Sequence, residues 1–140
     1  LRGSRGLLPA GQVTLTPGSV PIYLDGELVA AFAPEALQTL QPASFVDAED
    51  GVVQDGWLLR DVLLNYLPED SLTLTTQITI SSSVREKSTV LTWAEVKDSE
   101  NMVLFDLSNR GTLKLVSRLE QLDTRDEWVQ DVDRIEVVTP

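Results

Sequence analysis

Apolar and polar residues alternate along several stretches of this chain, and the alternation predicts short β-strands. From Leu72 to Ser81, Leu, Thr and Ile recur at every second position, which is typical of a strand with one buried face. Met102–Leu107 is apolar except at Asp106 and is predicted as a central strand covered on both faces. The other predicted strands are Gln12–Thr16, Ser44–Asp47, Gly51–Gln54, Ser88–Leu91, Thr112–Val116 and the closing strand Arg134–Val138.

A tight hairpin is predicted at Asp25-Gly26. The pair lies between the segments Ile22–Leu24 and Glu27–Ala31. Because both turn residues tolerate positive φ angles, a type I′ turn joins these segments as antiparallel strands.

The longest predicted helix lies between Asp55 and Pro68. Arg60, Asp61 and Asn65 fall on one half of a helical wheel, together with a single leucine, Leu64. The other half carries six apolar or aromatic residues, Leu58, Leu59, Val62, Leu63, Tyr66 and Leu67. Pro68 ends the helix because it lacks the N–H that a further turn needs. We therefore predict a helix with one buried side that packs on a sheet.

Two shorter helices are predicted from their terminal residues. Pro34 opens a helix over Glu35–Leu40, since proline at the first helical position loses no useful donor, and Pro42 closes it. Thr92 and Glu95 have the spacing of a capping box, which predicts a helix that ends near Asp98.

These elements predict an α+β fold with a compact mixed β-sheet or β-sandwich-like core and about three short helices. A chain of 140 residues is long enough for one hydrophobic core and short for two. We therefore predict a flexible leader over residues 1–11 and a single domain over residues 12–140.

The leader is glycine-rich, carries bases without an acid and does not begin with Met. It is interpreted as the remnant of a signal peptide, an N-terminal membrane anchor or a boundary in a longer protein. The expected location is extracytoplasmic, either periplasmic or secreted. No apolar run reaches the ~18–20 residues of a membrane-spanning helix, so no span is predicted in this chain.

The charge and the absence of two residue types limit the possible functions. A formal charge of −11 repels phosphate backbones and anionic lipids, so nucleic acid is not an expected partner. The sequence contains neither cysteine nor histidine. Thiolate and imidazole metal sites, disulfides and His-dependent nucleophiles are therefore excluded.

Five different motifs follow one another along the chain, in the segments Ile22–Leu40, Gly56–Leu64, Leu91–Val96 leading into Met102–Leu107, Gly111–Val116 and Glu127–Val137. In order and spacing these motifs resemble those of the oxidoreductase molybdopterin-binding domain, the sulfite oxidase-like fold. The resemblance covers Ile22 to Val138 and implies that fold for the whole domain.

The functional residues of that family do not carry over. The family's molybdenum-ligating cysteine corresponds to a stretch in which Ser44 is the only hydroxyl, and a hydroxyl is a poor substitute for soft sulfur. Lys114 matches a family Arg but lacks its bidentate fork, and Glu127 stands where a Lys is common. The resemblance implies molybdopterin, yet the ligands are absent, so no cofactor is predicted.

Trp57, Arg60, Lys114 and Trp128 are the candidate lining of a ligand pocket. Trp57 and Trp128 match family positions, and they either stack on a ligand in one cavity or pack in the core. Arg60 either meets an anionic ligand or pairs with a nearby acid such as Asp61. No catalytic residue and no metal ligand is assigned.

The leading prediction is a non-catalytic binding or interaction domain with an unidentified protein or small-molecule ligand. One alternative is a molybdopterin-dependent oxidoreductase, or a redox accessory subunit, with atypical ligation. Another is a calcium-dependent binding or adhesion domain, because two acidic clusters offer hard oxygen ligands. These clusters are Asp47/Glu49/Asp50/Asp55 and Asp123/Asp126/Glu127/Asp131/Asp133. The alternative interpretation is that both acidic clusters are solvent-exposed surface and bind no calcium.

Overall fold

In the computed structural model, which describes residues 15–47, 49–119 and 128–140, ten strands form two five-stranded sheets. The strands are β1 Val20–Leu24, β2 Glu27–Phe32, β3 Pro42–Val46, β4 Val53–Leu58, β5 Gln77–Ser82, β6 Lys87–Thr92, β7 Leu104–Leu107, β8 Leu113–Val116, β9 Val129–Val132 and β10 Arg134–Val138. The α-helices are α1 Leu59–Tyr66 and α2 Trp93–Lys97, and the 3-10 helices are Pro34–Thr39, Glu69–Ser71 and Ser99–Asn101.

The first sheet has the strand order β9-β8-β7-β4-β3, with every pair antiparallel. The second has the order β2-β1-β10-β5-β6, in which β10 lies parallel to β1 and the other pairs are antiparallel. The chain crosses from the first sheet to the second at Asp133. The backbone N–H of Asp133 donates to the carbonyl of Ser81, 3.0 Å away, and its carboxylate accepts from the backbone N–H of Ser83. This crossing joins the two sheets at one corner.

The core lies against both sheets. Leu104 and Phe105 are adjacent on β7 and both fully buried, so the middle strand of the first sheet is covered on both faces, as predicted. In α1, Leu59, Val62 and Leu63 are fully buried and form the apolar side predicted for this helix. The inward side chains of the second sheet are Ile22, Ile78, Ile80, Leu91, Ile135 and Val137.

The mixed, sandwich-like α+β architecture is as predicted, and each of the three predicted helical segments is helical, the first as a 3-10 helix. The Asp25-Gly26 turn is confirmed with φ angles of 51° and 87°. The capping box is also confirmed. The N–H of Glu95 donates to Thr92 Oγ1 over 3.3 Å, and the N–H of Thr92 donates to the Glu95 carboxylate over 2.8 Å.

The predicted start of the central helix is wrong. Asp55–Leu58 belongs to β4, and α1 begins at Leu59. Trp57 lies opposite Phe105, and Leu58 lies opposite Leu104, so pairing with β7 outweighs the helical pattern of this segment.

The first half of the predicted strand Leu72–Ser81 is also wrong, because β5 begins only at Gln77. Thr76 is fully buried, and its hydroxyl donates to the carbonyl of Ser71 and accepts from the N–H of Thr73. These local bonds replace a strand ladder. Likewise, Pro42 begins β3 and does not merely close a helix.

Several predictions fall partly outside the described residues. These include the leader and most of Gln12–Thr16, whose described residues Leu15 and Thr16 are not in a strand. The sequence also predicts an irregular or briefly helical segment over Arg118–Gln130. Residues 120–127 of this segment lie outside the described residues, and its last two residues, Val129 and Gln130, belong to strand β9. Among the described residues, no helix is long and apolar enough to cross a membrane.

Candidate functional site

The strand register separates the predicted pocket residues. Trp57 lies opposite Phe105, whereas Lys114 lies opposite Asp106. Because successive residues of a strand point to opposite faces, Trp57 and Lys114 lie on opposite faces of the first sheet. The structure therefore places them in different surroundings.

Lys114 and Trp128 are brought together. The Lys114 Nζ atom lies 5.6 Å from the centroid of the Trp128 ring, within the range of a cation–π contact. Trp128 is only 3% exposed, and its ring packs edge-on against Phe45 with centroids 6.5 Å apart. Trp128 therefore acts in packing and leaves little ring surface for a ligand.

A cleft of about 430 Å³, here called the hairpin cleft, opens beside the β7–β8 hairpin. It contains two basic side chains, Arg110 and Lys114, and two acids, Asp106 and Asp131. The rest of its lining is Leu107, Ser108, Asn109, Thr112 and Gln130. Its basic and acidic groups are equal in number, so the cleft is not an anion site by charge.

Asp131 organises the rim of the hairpin cleft. Its carboxylate accepts hydrogen bonds from Thr112 Oγ1 at 2.8 Å, Arg85 Nε at 2.7 Å and Arg110 Nη2 at 2.8 Å. The Thr112 hydrogen bond contributes most to holding the pKa of Asp131 below its ordinary value; burial opposes it, and the two guanidinium groups assist it. The Arg110 charge is thus already paired within the chain.

Asp106 is the acid that faces Lys114. Burial raises the pKa of Asp106 above its ordinary value; the charge of Lys114 opposes this shift, and that of Asp55 adds to it. The sequence predictions assign Asp106 no role, although a lone acid inside an apolar run is a signal for one.

Trp57 lines a second cleft, of about 300 Å³, here called the Trp57 cleft. Asp55 and Asp106 line it as well. The remaining lining consists of Gln38, Pro42, Gly56 and Leu107, so no basic residue is among the described residues that form it. The Trp57 cleft therefore combines an aromatic ring with the carboxyl group of Asp55, whereas the Asp106 side chain points to the sheet face that carries Lys114.

The face of the hairpin formed by β3 and β4 continues from this cleft. Three cross-strand pairs, Pro42/Trp57, Ser44/Asp55 and Val46/Val53, occupy alternate positions and so share one side of the two strands. We call these six residues the β3–β4 face. Val46 and Val53 are 58% and 61% exposed, which leaves a bare apolar patch at one end.

Arg60 lines neither of these two clefts. Its Nε atom lies 3.3 Å from a carboxylate oxygen of Asp61, and both side chains are partly exposed. Of the two roles predicted for Arg60, the structure therefore contains the ion pair with Asp61.

The described acids do not assemble into a metal site. Asp47 is 3% exposed, and its carboxylate accepts from the N–H groups of Asp50 and Val52 and from the Gln54 side chain. It therefore shapes the β3–β4 loop. No group of three or more acidic side chains within residues 15–47, 49–119 and 128–140 is arranged to hold a metal ion. Asp123, Asp126 and Glu127 lie outside the described residues.

The residues that the resemblance would place at a cofactor do not fit a molybdopterin. Ser44 is exposed and lies opposite Asp55, so a hydroxyl beside a carboxylate stands where the resemblance would require a soft thiolate. Lys114, which the resemblance matches to a family Arg, lies on the other face of the sheet and opposite an acid.

Comparison with protein-family models and with curated protein sequences finds no match for this chain.

Proposed function

We propose that this chain is a non-catalytic binding domain, built on a scaffold that resembles the sulfite oxidase-like fold and working without a cofactor. The observation that supports it is the charge arrangement of the hairpin cleft. Lys114 lies opposite Asp106, and Arg110 is ion-paired with Asp131 at 2.8 Å.

A phosphate-bearing pterin needs basic side chains in excess of acids, and molybdenum needs a soft ligand. The hairpin cleft offers balanced charges. The sequence contains no cysteine. Both observations favour a role that does not involve this cofactor, and they also disfavour a small anionic ligand in the hairpin cleft.

The β3–β4 face favours a protein partner over a small molecule. An exposed valine pair next to an acidic, aromatic cleft is the mixture of apolar and polar surface found at protein interfaces. A nucleic-acid partner is disfavoured by the formal charge of −11.

The test is cofactor extraction. Protein produced in a host that makes molybdopterin is purified and assayed for oxidised pterin by fluorescence and for turnover of sulfoxides and oxyanions. We expect pterin far below one equivalent and no turnover above that of a heat-denatured sample. One equivalent of pterin, or turnover, would establish the oxidoreductase alternative in its place.

The calcium alternative has no observation in its favour among the described residues and stays a prediction for the cluster that includes Asp123 and Asp126. Extracytoplasmic location is likewise a prediction from the sequence.

A further inference from the structure

The β3–β4 face lies on the outer edge of the first sheet. Among the described strands, β3 pairs with β4 alone and is the last strand of its sheet. An edge strand presents backbone groups that an added strand can pair with. The surface therefore offers a backbone edge and a row of side chains together.

The charge of the Trp57 cleft defines the first contact that this surface can make. Asp55 lines the cleft with Trp57, and no basic residue is among its described lining. A Lys or Arg side chain placed there meets the Asp55 carboxylate and an aromatic ring, each of which attracts a cation. The formal charge of −11 for the whole chain favours the same kind of partner.

The valine pair defines the second contact. Val46 and Val53 are opposite each other and more than half exposed, and an apolar side chain that covers them removes both from water. Val53 and Trp57 are four residues apart on β4, which corresponds to roughly 13 Å along a strand. Side chains i and i+4 of an extended peptide have the same separation.

We propose that the β3–β4 face, with the edge of β3 that no described strand pairs with, is the docking surface for an extended segment of a basic partner protein. The segment places a Lys or Arg side chain in the Trp57 cleft and an apolar side chain, four residues away, over Val46 and Val53. This inference rests on the proposed binding function and names the partner chemistry. A second copy of this chain is disfavoured because two molecules of charge −11 repel each other.

The probe is a fluorescein-labelled peptide set in which one Arg and one Leu are spaced by four in a Ser/Thr background. Scrambled peptides of the same composition are the reference. We expect the spaced peptides to bind more tightly than the scrambled ones in fluorescence anisotropy, and salt to weaken this binding.

Variants of the chain locate the contact. Asp55→Asn and Trp57→Ala are each expected to weaken binding about 5- to 10-fold, as loss of a charge or a cation–π contact does. Val46→Thr should reduce the preference for Leu over Ser in the peptide. Glu27→Gln on β2 and Val90→Thr on β6 are matched controls, since both residues are exposed on the second sheet, and neither change should alter affinity.

Asp55→Asn conserves shape and Asp55 is exposed, so this variant reports on binding even if Trp57→Ala is poorly folded. Equal affinity for spaced and scrambled peptides overturns the docking surface. Unchanged peptide affinity in Asp55→Asn also overturns the docking surface, but it does not contradict the proposed binding function. Dimerisation of the chain that is lost in Val46→Thr assigns the surface to a second copy and also overturns the inference. Pterin in the purified protein contradicts the proposed function and leaves this test unaffected.

Discussion

Asp106 on β7 and Lys114 on β8 lie directly opposite each other in the first sheet. The resemblance implies that an anionic pterin phosphate would lie near Lys114. In the structure, however, the residue opposite Lys114 is an acid. Burial nevertheless raises the pKa of Asp106, an effect that Lys114 opposes and Asp55 reinforces. Lys114 thus lies opposite an acid whose burial favours its protonated, uncharged form.

Asp106→Asn is expected to stabilise the fold at neutral pH. Because the folded-state pKa is raised, the folded protein holds this proton more tightly than the unfolded chain does. The penalty for ionised Asp106 is therefore complete above the folded pKa and absent below the ordinary aspartate pKa. The urea midpoint of the variant should exceed that of the wild type at about pH 7, and the gain should shrink near about pH 3. An equal or lower midpoint at neutral pH would contradict this reading of Asp106.

Asp131→Asn is expected to have the opposite effect. The folded-state pKa of Asp131 is lowered, so its contribution to stability is present above the ordinary aspartate pKa and is lost as the pH falls through the lowered value. Asn tolerates the φ angle of 53° at this position, so the change tests the charge and its bonds. Asp61→Asn is the control, since its exposed ion pair with Arg60 contributes only about 0–1 kcal/mol. A loss for Asp131→Asn that persists unchanged at about pH 3 would refute the electrostatic explanation.

Gly56→Ala is expected to destabilise the first sheet. A Cβ atom at Gly56 would overlap the backbone carbonyl of Phe105, which cannot move without disturbing the central strand. Overpacking of this kind costs about 1–3 kcal/mol or more, measured by urea denaturation. Gly51→Asn is the matched control. Gly51 has a φ angle of 68° and no atom within 4 Å of the added Cβ, and Asn accepts such angles. Similar losses for the two variants would show that β4 does not approach β7 as closely as described.

Ser44→Cys is expected not to recover a molybdenum site. The new thiol would stand on the β3–β4 face beside Asp55, on the opposite side of the sheet from Lys114. Elemental analysis of the variant from a molybdopterin-producing host should give the same background as the wild type. A catalytic family member from that host is the positive control, and one molybdenum per chain in Ser44→Cys would show that the site is intact apart from its sulfur.

The features that sequence predicts well are governed by neighbouring residues. The Asp25-Gly26 turn depends on two φ angles that these residues accept, and the Thr92/Glu95 box depends on bonds within one helical turn. Both follow from spacing alone. The apolar run at β7 likewise predicts a strand covered on both faces, because its consecutive apolar side chains point to both sides of the sheet and must be buried on both.

The errors lie where tertiary contacts override local pattern. Leu58 fits the apolar side of the predicted helix, yet Leu58 and its neighbour Trp57 pair with β7, a partner almost fifty residues away in sequence. The segment before Gln77 alternates like a strand, yet Thr76 bonds to Ser71 and Thr73 and forms a turn.

The candidate site is less predictable for the same reason. The division of Trp57 and Lys114 between two faces depends on register with β7, and the rim of the hairpin cleft depends on Arg85 reaching Asp131 across 46 positions. A pattern over a few neighbouring residues does not encode such long-range contacts. Sequence can nominate the residues, but only the strand register shows which of them share a surface.

We propose above that this chain binds a partner through the β3–β4 face. The most direct measurement is an amide NMR titration of the isotope-labelled wild-type chain with the spaced Arg/Leu peptide. We expect chemical-shift changes at the amides of Ser44 and Asp55 and at the indole N–H of Trp57, and none at Arg110 and Asp131. Shifts confined to the hairpin cleft, or none at saturating peptide, would contradict it.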